Sequence, residues 1–214
     1  STHQLRYGAE ISDSDVRSSF LRIDKAPGGG ETVEDRIGMA PSEVSRLGVF
    51  LLDEITLGLE EKWVITAGLR YDRYEVSPDN TAAFLDRTVP PDGADPIRAI
   101  EYENDAFAPS LSILYRWQEG LNSYFTYGRG IRNPSAEELN GVFTHGTDFI
   151  VVPNPDLGEE TADSFEIGIQ AHRRNHRFQV AAFANFYDDF LERNVLVVDN
   201  PEPEPEADEI GFFR

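Results

Sequence analysis

Apolar and polar residues alternate with a period of two through most of this chain. Leu5, Tyr7, Ala9 and Ile11 stand against Arg6, Gly8, Glu10 and Ser12. The spacing returns at Leu47, Val49, Leu51, Ile55 and Leu57, and again at Trp63, Ile65, Ala67, Leu69 and Tyr71. It recurs over 107–117, 125–131, 165–171 and 178–186. Successive side chains of a β-strand point to opposite faces, so this repeat predicts strands with one apolar and one polar face. With an incomplete last segment at 210–214, about eight strands are expected. They read as roughly ten to fourteen residues each, against five or six in ordinary globular sheets.

The connections alternate in length. Short ones lie at 58–61, 119–122 and 174–176, and long ones at 24–42, 77–104, 133–161 and 194–209. Trp63, Trp117, Tyr71, Tyr74 and Phe186 gather near strand ends. Short turns on one rim, long loops on the other and aromatic girdles between them are the layout of a transmembrane barrel. A soluble all-β binding module is the alternative, with the apolar face in a core. The strand length and the girdles favour an all-β, antiparallel transmembrane β-barrel.

Charge narrows the partners. The chain has 39 acidic residues against 19 basic ones, for a formal charge of -20. Phosphate backbones are bound by Lys- and Arg-rich surfaces, so nucleic acid is not expected as a partner. Outer-membrane lipid, whose anionic headgroups are bridged by divalent cations, suits an acidic surface better. No cysteine is present, which excludes disulfides and thiolate sites. No apolar run reaches the ~18 residues of a transmembrane helix, a test that says nothing of a barrel. Paired acids at Asp13 and Asp15, or at Asp188 and Asp189, read as solvated charge rather than calcium sites.

The segment 131–168 interrupts the alternation. Its Pro134, Pro153 and Pro155, with Asn133, Asn154 and Asp156, are incompatible with a continuous ladder. A loop this long between patterned segments is functional or disordered. Phe143, Phe149, Ile150 and Val151 argue for order. This is the candidate site. A Ser135, His145 and Asp148 hydrolase triad lacks any nucleophile-elbow motif, and no enzymatic activity is expected.

The run Arg132-Asn133-Pro134-Ser135-Ala136-Glu137-Glu138-Leu139, followed by Pro153-Asn154-Pro155-Asp156-Leu157, resembles the paired boxes of TonB-dependent outer-membrane receptors. The strands around Asp53-Glu54 and Gly68-Leu69-Arg70-Tyr71-Asp72 resemble further strands of that family. Ile131, Asn133, Asn140 and Gly158-Glu159-Glu160 depart from the usual boxes. The resemblance implies a piece of a large plugged barrel of 22 strands in the bacterial outer membrane. Residues 1–214 would be a partial barrel domain, with the plug and the other strands outside this chain. The haem and haemoglobin receptor branch carries a haem-ligating histidine between the boxes, the place His145 holds. That implies haem as transported ligand, with no catalytic cofactor, and haem proteins and the TonB energy-coupling complex as partners. His145 would be an axial iron ligand, flanked by Phe143 and Phe149. The second axial histidine would come from the plug. Arg132, Pro134, Asn154, Pro155, Leu157 and Glu166 would form the scaffold, with Arg132 and Glu166 both on the lumen face and pairing to anchor the loop. His3, His172 and His176 fall near a chain end or a short turn. A siderophore or other metal chelate is the alternative cargo, since the paired boxes occur in those receptors too.

Overall fold

The computed structural model describes residues 1–25, 28–58, 60–89, 95–145, 149–151, 153–154, 156–191 and 209–211; the side chains of 143–145, 149–150 and 209–211 lie outside it. Twelve strands and two short helices follow in order among these residues. They are β1 (Thr2–Val16), β2 (Ser19–Lys25), β3 (Glu31–Ile37), β4 (Ser42–Leu57), β5 (Trp63–Pro78), α1 (Ala82–Leu85), β6 (Tyr102–Gln118) and β7 (Leu121–Arg132). Then come α2 (Ala136–Asn140), β8 (Phe143–His145), β9 (Phe149–Val151), β10 (Glu160–Arg173), β11 (His176–Asp188) and β12 (Glu209–Gly211). Seven long strands form one antiparallel sheet in the order β1-β4-β5-β6-β7-β10-β11. Every pair in it is consecutive along the chain apart from short excursions, which is the up-and-down meander of a barrel wall. The strands run to 17 residues in β6, longer than the periodicity alone marked, because alternation fades where they rise past the apolar band.

Register sorts the side chains cleanly. Tyr7 faces Leu51, Leu51 faces Leu69, and Leu69 faces Pro109. Ile113 faces Phe125, Phe125 faces Ile167, and Ile167 faces Ala182. These residues form one continuous apolar face, the outer one, and it stays open: Tyr7 is 82% exposed, Ile167 61% and Phe178 62%. A soluble fold would bury such a face. Two aromatic belts bound it. Trp63, Tyr115 and Trp117 stack near the short turns, with ring centroids 4.5 and 4.7 Å apart. Tyr71 meets Phe107 at 5.2 Å, and Tyr127 meets Phe165 at 4.9 Å, near the other rim. From Trp63 to Tyr71 the strand rises by about 26 Å, which strand tilt reduces to about the height of an apolar membrane band.

The turns are tight where the sequence is short. Gly120, between β6 and β7, has φ +76° and receives a 2.6 Å hydrogen bond from the His172 amide at its carbonyl. A side chain there would run into the His172 carbonyl. Only glycine meets both demands.

The buried core lies above the sheet rather than within it. Met39, Val44, Tyr74, Val76, Ala136, Leu139 and Leu157 form one cluster at the long-loop end, and Ala40, Phe84, Ala99 and Val142 a second. Val44 and Val76 lie on the inner, polar-lined face, so α2 folds back over that face and caps it.

Three expectations change here. Tyr74 is no girdle residue: it points inward beneath α2 and is 5% exposed. The connection expected at 24–42 begins inside a β2–β3 antiparallel pair, Ser19–Lys25 with Glu31–Ile37, that carries Leu21, Ile23 and Val33 exposed. Of the last segment, Glu209–Gly211 pairs in parallel with β9 rather than with the seven-stranded sheet, and 212–214 lie outside the described residues.

Candidate functional site

The interrupted segment begins at the end of β7. Pro134 cannot donate to a ladder and stops the strand, and Ser135 then caps α2. The cap is reciprocal. The Glu138 amide donates to Ser135 Oγ at 3.2 Å, and the Ser135 amide donates to Glu138 Oε2 at 2.8 Å. This Ser-x-x-Glu box satisfies two helix-end donors at once. Ser135 Oγ also donates to Glu138 Oε2 at 2.9 Å, so it is occupied as a cap and unavailable as a nucleophile.

Arg132 donates to Glu138 at 3.0 Å from Nη1 and to Glu160 from Nε. It therefore ties the end of β7 to α2 and to the start of β10. Burial alone would raise the Glu138 carboxyl, but the Ser135 amide and hydroxyl and the Arg132 guanidinium outweigh it and hold it below the ordinary carboxylate value. Glu166 is not the partner of Arg132. It lies farther down β10, where Tyr124 Oη donates to it and Gln179 donates to Tyr124 at 3.2 Å. Two acids closer to the loop base, Glu138 and Glu160, take the arginine instead.

Asn140 is the residue whose role periodicity and motif both missed. It is wholly buried; its Oδ1 accepts from the Ile100 amide at 2.8 Å and its Nδ2 donates to the Ile100 carbonyl at 3.0 Å. The side chain thus pairs with the segment leading into β6 as a neighbouring backbone would. Asn80 makes the same two bonds to Ala99, at 2.8 and 3.2 Å. Together they hold 99–100 against both helices. The signal for α2 was legible, since Ser135 precedes Glu138 by three positions. Asn140 stood out only as a departure from the usual box, because a pair of bonds to a residue forty positions away leaves no local trace of its role.

The second box closes on the first. The Asn154 amide donates to the Leu139 carbonyl at 3.2 Å, the Asp156 amide to Asn154 Oδ1 at 3.0 Å, and Leu157 enters the core cluster. Pro134 and Pro153 are fully buried, while Pro155 lies outside the described residues. Asn133, in the place usually taken by a small residue, accepts from Asn104 Nδ2 at 2.8 Å. Pro134, Asn154 and Leu157 are therefore buried in one base to which the exposed Arg132 is tied through Glu138, and Glu166 stands apart from it.

Between the boxes the backbone forms the β8–β9 hairpin, with Phe143 opposite Val151 and His145 opposite Phe149. The side chains of Phe143, His145 and Phe149 lie outside the described residues, as does Asp148. The other histidines sit at the opposite rim: His3 Nδ1 pairs with Asp53 at 2.8 Å, and His172 and His176 flank the β10–β11 turn. Among the described residues no cluster of three metal-ligating side chains occurs, and Asp13 accepts from Ser45 Oγ at 2.7 Å.

Comparison with known proteins follows the same lines. Residues 2–207 match the family model described as TonB dependent receptor-like, beta-barrel. Hemoglobin-haptoglobin utilization protein B of Neisseria meningitidis serogroup C is 26% identical over 147 residues, 69% of this chain and 18% of that protein. The chain thus spans under a fifth of the length of that relative. Among solved structures, the Serratia marcescens hemophore receptor HasR, in complex with HasA and heme, superposes with a TM-score of 0.60 at 19% identity. That match covers 99% of this chain and 37% of HasR. The copper transporter OprC gives 0.63 at 14% identity, over 88% and 28%.

Proposed function

The chain belongs to the TonB-dependent receptor-like β-barrel family, and from that premise we propose that it forms part of the barrel of a haem receptor. Proteins of this family are transporters of the bacterial outer membrane, not enzymes. The outer face of the sheet meets lipid, and the polar face lines the lumen. The complete receptor takes haem at the cell surface, from a haem protein, and moves it inward with energy relayed through the TonB complex. No covalent change to the cargo is required. Haem is ligand here, and imidazole is the iron ligand a loop can supply.

The observation that carries the choice of haem is the likeness to a protein named for haemoglobin–haptoglobin utilization over 69% of the chain. Fold likeness does not choose the cargo, because a copper transporter and a haem-bound receptor superpose almost equally well. The cap supports a role for His145. It anchors both ends of the loop in buried residues, so that β8–β9 springs from a fixed base with His145 in the segment between the boxes. In this reading His145 is an axial ligand, Phe143 and Phe149 pack on the porphyrin, and Arg132, Pro134, Asn154, Pro155 and Leu157 hold the base. Glu166 belongs to the barrel wall beneath.

The test is a haemin titration of the full-length protein in detergent, followed at the Soret band, with His145→Ala alongside. A histidine-ligated spectrum that the substitution weakens or shifts is expected. A protein that leaves the haemin spectrum unchanged has another cargo, and ferric chelates become the ligands to titrate next.

A further inference from the structure

Three arginines reach the lumen face just below the cap, and they are used differently. Arg70 is held by Asp72, with Nη2 to Oδ1 at 2.6 Å, and Glu10 lies 3.6 Å away. Arg132 is held by Glu138 and Glu160. Arg46 has no carboxylate among the described residues; its guanidinium lies 5.1 Å from the centre of the Tyr74 ring. It is exposed, on the same face as Val44, which packs under α2 one step above. Gly48, the next residue of β4 on this face, leaves room for the Arg70 side chain to lie across it. The result is a recess of about 400 Å³ whose lining includes Arg46, Arg70, Tyr74 and Arg132 together with the acids Glu10 and Asp72.

The charge balance of this recess is specific. The carboxylates of Asp72, Glu138 and Glu160 are each engaged by an arginine and Glu10 lies beside Arg70, which leaves Arg46 as the lining arginine without a carboxylate partner among the described residues. A guanidinium presents its N–H groups as a planar fork that fits a carboxylate with two parallel bonds. The Arg46 guanidinium lies over the Tyr74 ring and also meets the Tyr74 hydroxyl, contacts that orient it and leave others of its N–H donors open. Haem carries two propionate carboxylates along one edge of an apolar disc. We infer that Arg46 binds a carboxylate of the cargo beneath the cap, a propionate if the cargo is haem. The inference rests on the haem reading above. The alternative source of a carboxylate is the protein itself, through a segment that enters the lumen.

Haemin and haemin dimethyl ester distinguish the two. Both carry the same iron and ring, and only haemin offers an ionised carboxylate. Each is titrated into the full-length protein in detergent and into Arg46→Gln and Arg46→Lys, with heat-modifiable gel mobility checked for folding. A charge-assisted bond of this kind predicts that Arg46→Gln weakens haemin about tenfold and leaves the ester unchanged. Arg46→Lys keeps the charge and recovers most of the loss. Equal effects on haemin and ester, or no effect on haemin, overturn the assignment while the haem reading stands. Failure of haemin to bind the unsubstituted protein overturns both.

Discussion

Ile167 and Leu139 are both aliphatic and both central to their surroundings, yet the first is 61% exposed and the second wholly buried. The difference is one of regime. Ile167 sits in a sheet whose backbone groups are satisfied by register alone, so its side chain needs only to be apolar on the outer face. Leu139 sits in a cap with almost no ladder. There each backbone group must find an individual partner, and Asn140, Asn80, Ser135 and Asn154 supply them. The sheet is thus specified by a pattern and the cap by particular residues. Substitutions should separate the two.

The largest effect is expected from Leu139→Ala. It removes a wholly buried side chain from the cluster with Met39, Tyr74 and Val76, and such truncations cost about 2–5 kcal/mol. Hydrogen exchange at 97–102 and 136–142 should accelerate while strand amides stay protected. Loosening of the sheet in step would show that cap and sheet are one cooperative unit. Next comes Ile167→Arg, on the outer face between Phe165 and the β10–β11 turn. A cation near the middle of a barrel's lipid face costs about 2–4 kcal/mol, measurable by urea unfolding in lipid. Ser112→Arg, on the lumen face, is the control. If the two substitutions cost the same, the outer face does not contact lipid.

That division also explains what could be read from the residues alone. The common outward face from Tyr7 to Ile167 followed from alternation, because a one-residue slip would turn every apolar side chain inward. The hairpin of β2 and β3 did not, since Glu31, Asp35 and Arg36 break its alternation and Leu21, Ile23 and Val33 stay exposed. The paired boxes marked where the site lies and gave Arg132, Pro134, Asn154 and Leu157 a common place. They did not give the arginine its partners: parity placed Glu166 and Glu160 on the same face, the β7–β10 register sets Glu160 opposite Arg132, and the path of α2 brings Glu138 to it. Tyr74 was misplaced for a related reason. Parity alone put it inward, but its aromatic character near a strand end suggested a girdle, and nothing local marked that α2 folds over it. Asn140 and Arg46 act through partners distant in the chain, so the role of neither stands out in a linear reading.

The smallest effect, and the finest test of the comparison, is at Glu138. Its folded carboxyl titrates below the ordinary value because the Ser135 donors and Arg132 outweigh the effect of burial. A carboxyl depressed in the folded state contributes stability at pH above its unfolded value, and loses it as pH falls through the lowered folded value. The cap should therefore loosen on acidification below the usual carboxylate range, seen as faster exchange at 136–142, while the central sheet around Ile113 and Phe125, whose outer-face pairs carry no carboxylate, keeps its protection. Glu138→Gln keeps an acceptor for the Ser135 amide but loses the charge facing Arg132. It should cost about 1 kcal/mol at neutral pH, the worth of a helix cap, and flatten the acid dependence of the cap. An unchanged acid dependence in Glu138→Gln would move the titrating role to Glu160, which shares Arg132 and ties the cap to β10 rather than closing α2 on itself.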